Sequence, residues 1–301
     1  MKSFLSAVVL WIAASAAYAQ QTVQVVWPFS VSSSHIQMVR GLVDTANSQQ
    51  SEYQFVVVNK PGAGGSIAAQ SVATSKDLQI LIGTSSFYIR PLLYKDSHSY
   101  DSFSLIHELC SDQPLAIFSK KFKRISDIPT DKSITVGMIP GSITNLVSHA
   151  ILENNRSVRL VEVHYKGTFE ATTDMLAGHL ESSVDFIGPN ATERFTNQNV
   201  NTLGITGVHD RFGMKTFQSQ GIKGLEHVTH SVYALVRKDV PENVKQRLAE
   251  IFIRAIQNNQ SKLFCEQEGG FIPSVSYGRM AQTHATNISR WSALTKNLPK
   301  Q

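Results

Sequence analysis

Beyond residue 20 the chain alternates short apolar runs with stretches whose apolar positions recur at helical spacing. VQVVW (23–27) is a β-branched run, and in HIQMVRGLVDTAN (35–47) Ile36, Val39, Leu42 and Val43 fall on one helical face. YQFVVVN (53–59) reads as a second strand, SIAAQSVATS (66–75) as a small-residue helix and QILIGTS (79–85) as a third strand. The pattern then repeats. SITVGMI (133–139) precedes a helix around 145–154, and LVEVHY (160–165) precedes the helix TFEATTDMLAGH (168–179). SVDFIG (183–188), VNTLGIT (200–206) and SVYALVRK (231–238) read as further strands, the last leading through Pro241 into a helix start. Amphipathic helices over 242–257 and 277–297 close the chain. Apolar strands alternating with helices predict an α/β protein with parallel sheets covered on both faces.

Two such blocks and a helical tail predict two α/β domains with a ligand cleft between them. The expected division is a leader over 1–19, a first domain of 20–117 plus 234–301, and a second of 118–233. PLAIFSK (114–120) and SVYALVRK are the candidate crossings. At 301 residues and 42% hydrophobic, the chain is long enough to bury two cores. Ligands of open α/β sheets sit beyond the carboxyl ends of strands. The loops there carry PFSVSSS, KPGAGGS, SSF, PGSIT, KGT and IGPN, a donor-rich set.

The first residues bear on the compartment. Lys2, the short apolar run from Phe4 to Ala14 and the A-x-A sequence Ala17-Tyr18-Ala19 have the form of a cleaved export signal. Export from a bacterial cytoplasm puts the mature protein in the periplasm, and no Cys follows the small residues to carry a lipid anchor. No later apolar segment is long enough to cross a membrane. The formal charge of +5 is scattered, without a basic run interleaved with aromatics, so no nucleic-acid partner is expected. The separation of Cys110 and Cys265 neither supports nor excludes a disulfide, and two buried free thiols are expected.

The glycine-rich stretch NKPGAGGSIAA (59–69) is the strongest chemical signal. A dinucleotide fingerprint needs a third small residue where Ile67 stands, and a carboxylate at the end of the next strand, which reads Gly83-Thr84-Ser85. A P-loop needs its lysine after the glycines, whereas Lys60 precedes them. Neither a G-x-S-x-G elbow nor an H-E-x-x-H motif occurs, and His227-x-x-His230 sits in a strand or turn. No catalytic residue, metal or cofactor is expected. What remains is anion recognition by backbone N–H groups at Gly64-Gly65-Ser66, where a missing Cβ admits a ligand closely. A side chain at Gly65 is expected to block that approach. Ser32, Ser33 and Ser34 either cap the preceding helix or point into the same cleft.

VVNKPGAGGSIAAQSVA (57–73) resembles the signature of the tripartite tricarboxylate transporter family of periplasmic receptors, the Bug proteins. The likeness continues through GSITNL (141–146), VHYKGTFEATTDMLAGHLESSVDF (163–186), ALVRKDVPENVKQRL (234–248) and ISRWSAL (288–294), and so covers essentially the whole mature chain. It implies a type II periplasmic binding fold that closes on a small carboxylate. It also implies a monomer that delivers its ligand to integral membrane transporter subunits. Carried over residue by residue, the implied ligand contacts are Phe29, Ser30, Ser32, Ser33 and Ser34 in the first loop and Ala63, Gly64, Gly65 and Ser66 in the second. Ser85 follows the third strand. The second domain adds Ser142, Asn145, Tyr165, Lys166, Gly167 and Asp185. The first loop departs from the family's P-x-x-x-G-G-x-x-D, with serines at the glycines and His35 at the aspartate, so the ligand class stays open. A receptor feeding a signalling partner would share this fold and site. An exported α/β enzyme would need a nucleophile–base pair that the motifs lack.

Overall fold

The computed structural model describes residues 20–301 except 32, 34, 96, 156, 189–194, 196, 197, 297, 299 and 301. The expected leader, Ser32 and Ser34 lie outside the described residues. In chain order the first unit runs β1 (Gln21–Trp27), α1 (Ile36–Gln49), β2 (Tyr53–Asn59), α2 (Ser66–Thr74), β3 (Gln79–Thr84), α3 (Ser85–Leu93) and β4 (Phe103–Gln113). The second runs β5 (Leu115–Ser119), β6 (Ser133–Met138), α4 (Ile143–Ser148), β7 (Arg159–His164), α5 (Thr168–Ala177), β8 (Ser182–Phe186) and β9 (Asn201–Ile205). The chain then returns through β10 (His230–Arg237), α6 (Glu242–Ile256), α7 (Asn259–Gln267) and α8 (Met280–Leu294).

Two five-stranded sheets result, ordered β2-β1-β3-β10-β4 and β7-β6-β8-β5-β9. β1 pairs in parallel with β2 and β3, and β6 with β7 and β8. The expected all-parallel sheets are in fact mixed. β10 is antiparallel to β3 and β4, and β5 to β8 and β9. These are the two crossing strands, and each enters its sheet from the end where the other domain lies. The boundaries expected at 117/118 and 233/234 fall inside β5 and β10. A division that keeps every strand whole runs at Pro114 and just ahead of His230.

The helical face read from the first block is buried as expected, with Ile36, Val39, Leu42 and Val43 packed against Val23 and Val25 of β1. Leu248, Ile251, Phe252 and Ala255 of α6 complete that layer. Three elements have no counterpart in the sequence reading. α3 is buried along most of its length, so it shows no polar face, and Pro91 within it reads as a helix breaker. β4 interrupts its apolar run with His107, Glu108 and Asp112, and α7 is short and polar. The helix expected over 145–154 is α4 followed by a π-helical segment, His149–Asn155.

Cys110 on β4 and Cys265 on α7 are joined in a disulfide with a Cα–Cα separation of 5.9 Å, correcting the expectation of two free thiols. The pairing depends on α7 packing against β4, a contact between segments 155 residues apart that no spacing rule reveals. Among the described residues no helix is long and apolar enough to cross a membrane.

Candidate functional site

The carboxyl ends of β1, β3, β6 and β8 converge on the seam between the two domains, where the topology of open α/β sheets places ligands. The lining residues from the first domain are Trp27, Phe29, Ser33, His35, Thr84, Ser86 and His230. The second domain contributes Ile139, Ser142, Ile143, Thr144, Gly167, Thr168 and Phe186. Among the described residues, no Lys, Arg, Asp or Glu lines the cavity. The domains meet closely here, leaving a cavity of about 30 Å³, room for about two waters. A larger ligand enters only when the seam widens.

The first loop is shaped by its own hydrogen bonds. Trp27 Nε1 donates to Ser33 Oγ at 2.9 Å, and that hydroxyl donates to the Ser30 carbonyl at 2.8 Å. Ser33 therefore faces the cavity while holding the indole of Trp27 in place. His35, at the first turn of α1, is buried, and its Nε2 donates to Gln113 Oε1 at 2.9 Å. Burial pulls its pKa down to about 4, against the opposing pull of the Gln113 bond and the Asp185 charge. Its ring lies 4.5 Å from Phe186 of the second domain and 5.0 Å from His230. His230 is also buried, and burial with the neighbouring His35 lowers its pKa well below the usual value. The imidazole pair is therefore neutral at physiological pH.

Two of the three N–H groups expected in the anion cradle are engaged within the glycine turn itself. Ala63–Gly65 form a single 3₁₀ turn, with φ of +46° at Ala63, +58° at Gly64 and +98° at Gly65. The Gly65 N–H bonds the Gly62 carbonyl at 3.0 Å, and the Ser66 N–H bonds the Ala63 carbonyl. Those two donors serve the turn itself. A Cβ at Gly65 would meet Pro28 of its own domain at 3.3 Å. A Cβ at Gly64 would lie 2.6 Å from the Pro140 carbonyl oxygen across the seam. The Arg90 guanidinium, stacked over Tyr94 at 4.0 Å, donates to that same carbonyl at 3.3 Å. Close approach of the two domains, rather than of a ligand, is what the missing side chain at Gly64 permits. Gly64 and Gly65 still border a small space of about 10 Å³ beside the main cavity, and Phe29 and Thr84 line both.

Of the residues expected at the site, Phe29, Ser33, Ser142 and Gly167 line the main cavity. Ser30 faces Gly167 across the seam, since a Cβ at Gly167 would lie 2.6 Å from the Ser30 hydroxyl. Ser142 caps α4 by accepting from the Thr144 N–H at 3.1 Å, and its hydroxyl lies 2.8 Å from that of Thr144. The remaining side chains turn elsewhere. Ser66 faces inward to Ser97 and to Nδ1 of His98, whose Nε2 donates to the Phe87 carbonyl. Ser85 accepts from the Ser231 N–H at 2.9 Å. Asn145 points to Met138 and to Glu162, which also bonds His149 at 2.7 Å. Tyr165 donates to Asp174 at 2.5 Å, and Lys166 is exposed. Asp185 is fully buried, accepts from Thr172 Oγ1 at 2.9 Å and influences the site through its charge on His35.

Trp27, His35, Thr84, Ser86, Ile139, Ile143, Thr144, Thr168, Phe186 and His230 are the additions. Most stand at strand ends that the loop argument had marked. His230 carried no signal in the sequence, where its spacing from His227 read as ordinary polar side chains. Among the described residues no group of three His, Cys, Asp or Glu is placed to hold a metal.

The fold has counterparts among known proteins. The structure is similar to that of the periplasmic binding protein BugD, with a TM-score of 0.82 at 22% identity over 94% of this chain and 100% of that one. It is also similar to MatC from Rhodopseudomonas palustris with bound malate, with a TM-score of 0.78 at 19% identity, covering 92% and 99% of the two chains. These likenesses establish the type II periplasmic binding fold. In sequence, a UPF0065 protein from the TAR-I ttuE–ttuC' intergenic region of Agrobacterium vitis is 26% identical, the match covering 84% of this chain and 77% of the relative. The model of the tripartite tricarboxylate transporter family receptor matches residues 39–299, from within α1 past the end of α8. With nearly the whole described chain matched and both domains in place, the protein belongs to the tripartite tricarboxylate transporter receptor family.

Proposed function

We propose that this chain is an exported receptor that captures a small carboxylate between its domains and hands it to integral membrane transporter subunits. It acts as a monomer in the periplasm after cleavage near Ala19, and it binds its ligand without transforming it. The observation that carries this reading is the seam. Both domains contribute hydroxyls to one cavity, Ser33, Thr84 and Ser86 from one side and Ser142, Thr144 and Thr168 from the other. A ligand touching both domains favours the closed state by its differential affinity, which couples binding to shape. Family membership and the malate-bound relative support a carboxylate as the ligand. Calorimetry with a broad panel of organic acids is expected to find a one-to-one binder that is recovered unchanged. Folded protein that binds none of them, or that turns one over, contradicts the reading. Deletion of the coding sequence followed by uptake assays tests the transport role.

A further inference from the structure

The cavity is walled by rings. Trp27 and Phe29 stand edge to face with centroids 5.5 Å apart, and Phe186 meets His35 at 4.5 Å and His230 at 4.7 Å. Ile139 and Ile143 close the second-domain side. The polar groups are hydroxyls and two neutral imidazoles. One of these imidazoles stands out: His230 is 4% exposed and lines the cavity, yet neither ring nitrogen has a hydrogen-bond partner within the protein. A buried polar group left without a partner is costly, and one facing a binding cavity is a contact waiting for its ligand.

Charge narrows the choice of ligand. A single carboxylate is satisfied by an imidazole N–H together with hydroxyls. A second or third carboxylate on the same molecule would lie against apolar rings and neutral imidazoles, with no Lys or Arg among the described lining residues to pair with it. Arg90, which reaches the seam at Pro140, already serves that carbonyl and the Tyr94 ring. Aromatic rings from both domains, Trp27 and Phe29 on one side and Phe186 on the other, favour an aromatic apolar body packed against them.

On the reading that this seam is the receptor's binding site, we infer that it selects a monocarboxylate with a planar apolar body, and that His230 is the specificity-determining contact for the carboxylate. Benzoate serves as the probe, with malate and citrate as the two- and three-carboxylate competitors. Calorimetry on the mature protein is expected to show benzoate binding at least tenfold more tightly than malate, and citrate more weakly still. His230→Leu, which keeps the bulk and removes the hydrogen bond, is expected to weaken benzoate at least tenfold. His230→Gln is expected to recover part of that loss. Malate or citrate binding as tightly as benzoate overturns the proposal while leaving the receptor reading intact. Failure of the folded protein to bind any member of a broad carboxylate panel overturns both. A folded His230→Leu variant that binds benzoate like the parent removes the role assigned to His230. If that variant does not fold, the ligand selectivity of the parent protein still decides the proposal.

Discussion

Replacing Gly64 with alanine tests whether the seam seen here is the ligand-bound arrangement. Two separable costs follow from the geometry. At φ +58° an L side chain is strained by about 1 kcal/mol, and this is paid in the open and closed states alike. The second cost arises only on closure. The new methyl would sit 2.6 Å from the Pro140 oxygen, a backbone atom that cannot swing aside, whereas carbon and oxygen approach comfortably at about 3.3 Å. The domains must part by several tenths of an ångström, stretching the bond from Arg90 to the same carbonyl, a charge-assisted contact worth about 1.5–3 kcal/mol. Closure is therefore expected to lose about 1–3 kcal/mol, equivalent to about 5- to 150-fold in affinity. Gly178→Ala is the control. Its φ of +85° imposes similar strain, but a Cβ there has no neighbour within 4 Å. Both variants should lose similar thermal stability, and calorimetry should show weakened binding for Gly64→Ala alone. Small-angle scattering should find that variant more open at saturating ligand. Equal affinities for the two variants would refute the reasoning, because the contact with Pro140 would then not form in the bound state.

Other perturbations probe the rest of the structure. Reducing the Cys110–Cys265 bond releases a constraint across 155 residues, and urea unfolding with and without reductant is expected to show a loss of about 2–5 kcal/mol; an unchanged midpoint and slope would deny the bond a stabilising role. His35, His98 and His107 each have a folded pKa of about 4 against an ordinary 6.5, because burial disfavours their charged form. Above pH 6.5 neither the folded nor the unfolded state holds these protons. As pH falls from 6.5 towards 4 the unfolded chain takes them up first, so stability should drop, by at most about 3 kcal/mol per histidine. Glu162, held down to about 2 by His149 and His164, loses its contribution only as pH falls below 4.5, so the earlier decline tests the histidines alone. A flat stability profile between pH 7 and 5 would contradict their burial. Trp27 lines the cavity whereas Trp291 is buried on α8, so ligand binding should change the tryptophan emission of the parent protein but not of Trp27→Phe. A response that survives in the variant places the ligand elsewhere.

Much of the architecture was legible because it is local. The helical spacing of Ile36, Val39, Leu42 and Val43 states which face must leave water, and the apolar runs VQVVW and QILIGT state which strands are covered. Alternation of the two patterns fixes the α/β class, and the strand-end rule then marks the loops after Trp27, Thr84, Ile139 and Phe186 as the ones to meet. Elements whose polar residues are buried by tertiary neighbours, such as β4 with His107, fell outside those rules.

The sequence by itself determined the two α/β blocks, the buried faces and the donor-rich loops, because each follows from the period at which apolar residues recur. It also pointed to a tight turn or a close approach at the glycines of GAGGS, since both favour a residue without a Cβ. Only the tertiary structure decided what approaches them. Gly64 meets the Pro140 carbonyl of the other domain, and the N–H groups of Gly65 and Ser66 close their own turn. It likewise decided that Cys110 bonds Cys265, that β5 and β10 run against their sheets, and that His35, His230 and Phe186 share one wall. The reason is common to all four. Burial of a face is dictated by neighbours a few residues away, whereas partners distant in the chain are chosen by how whole elements and domains pack.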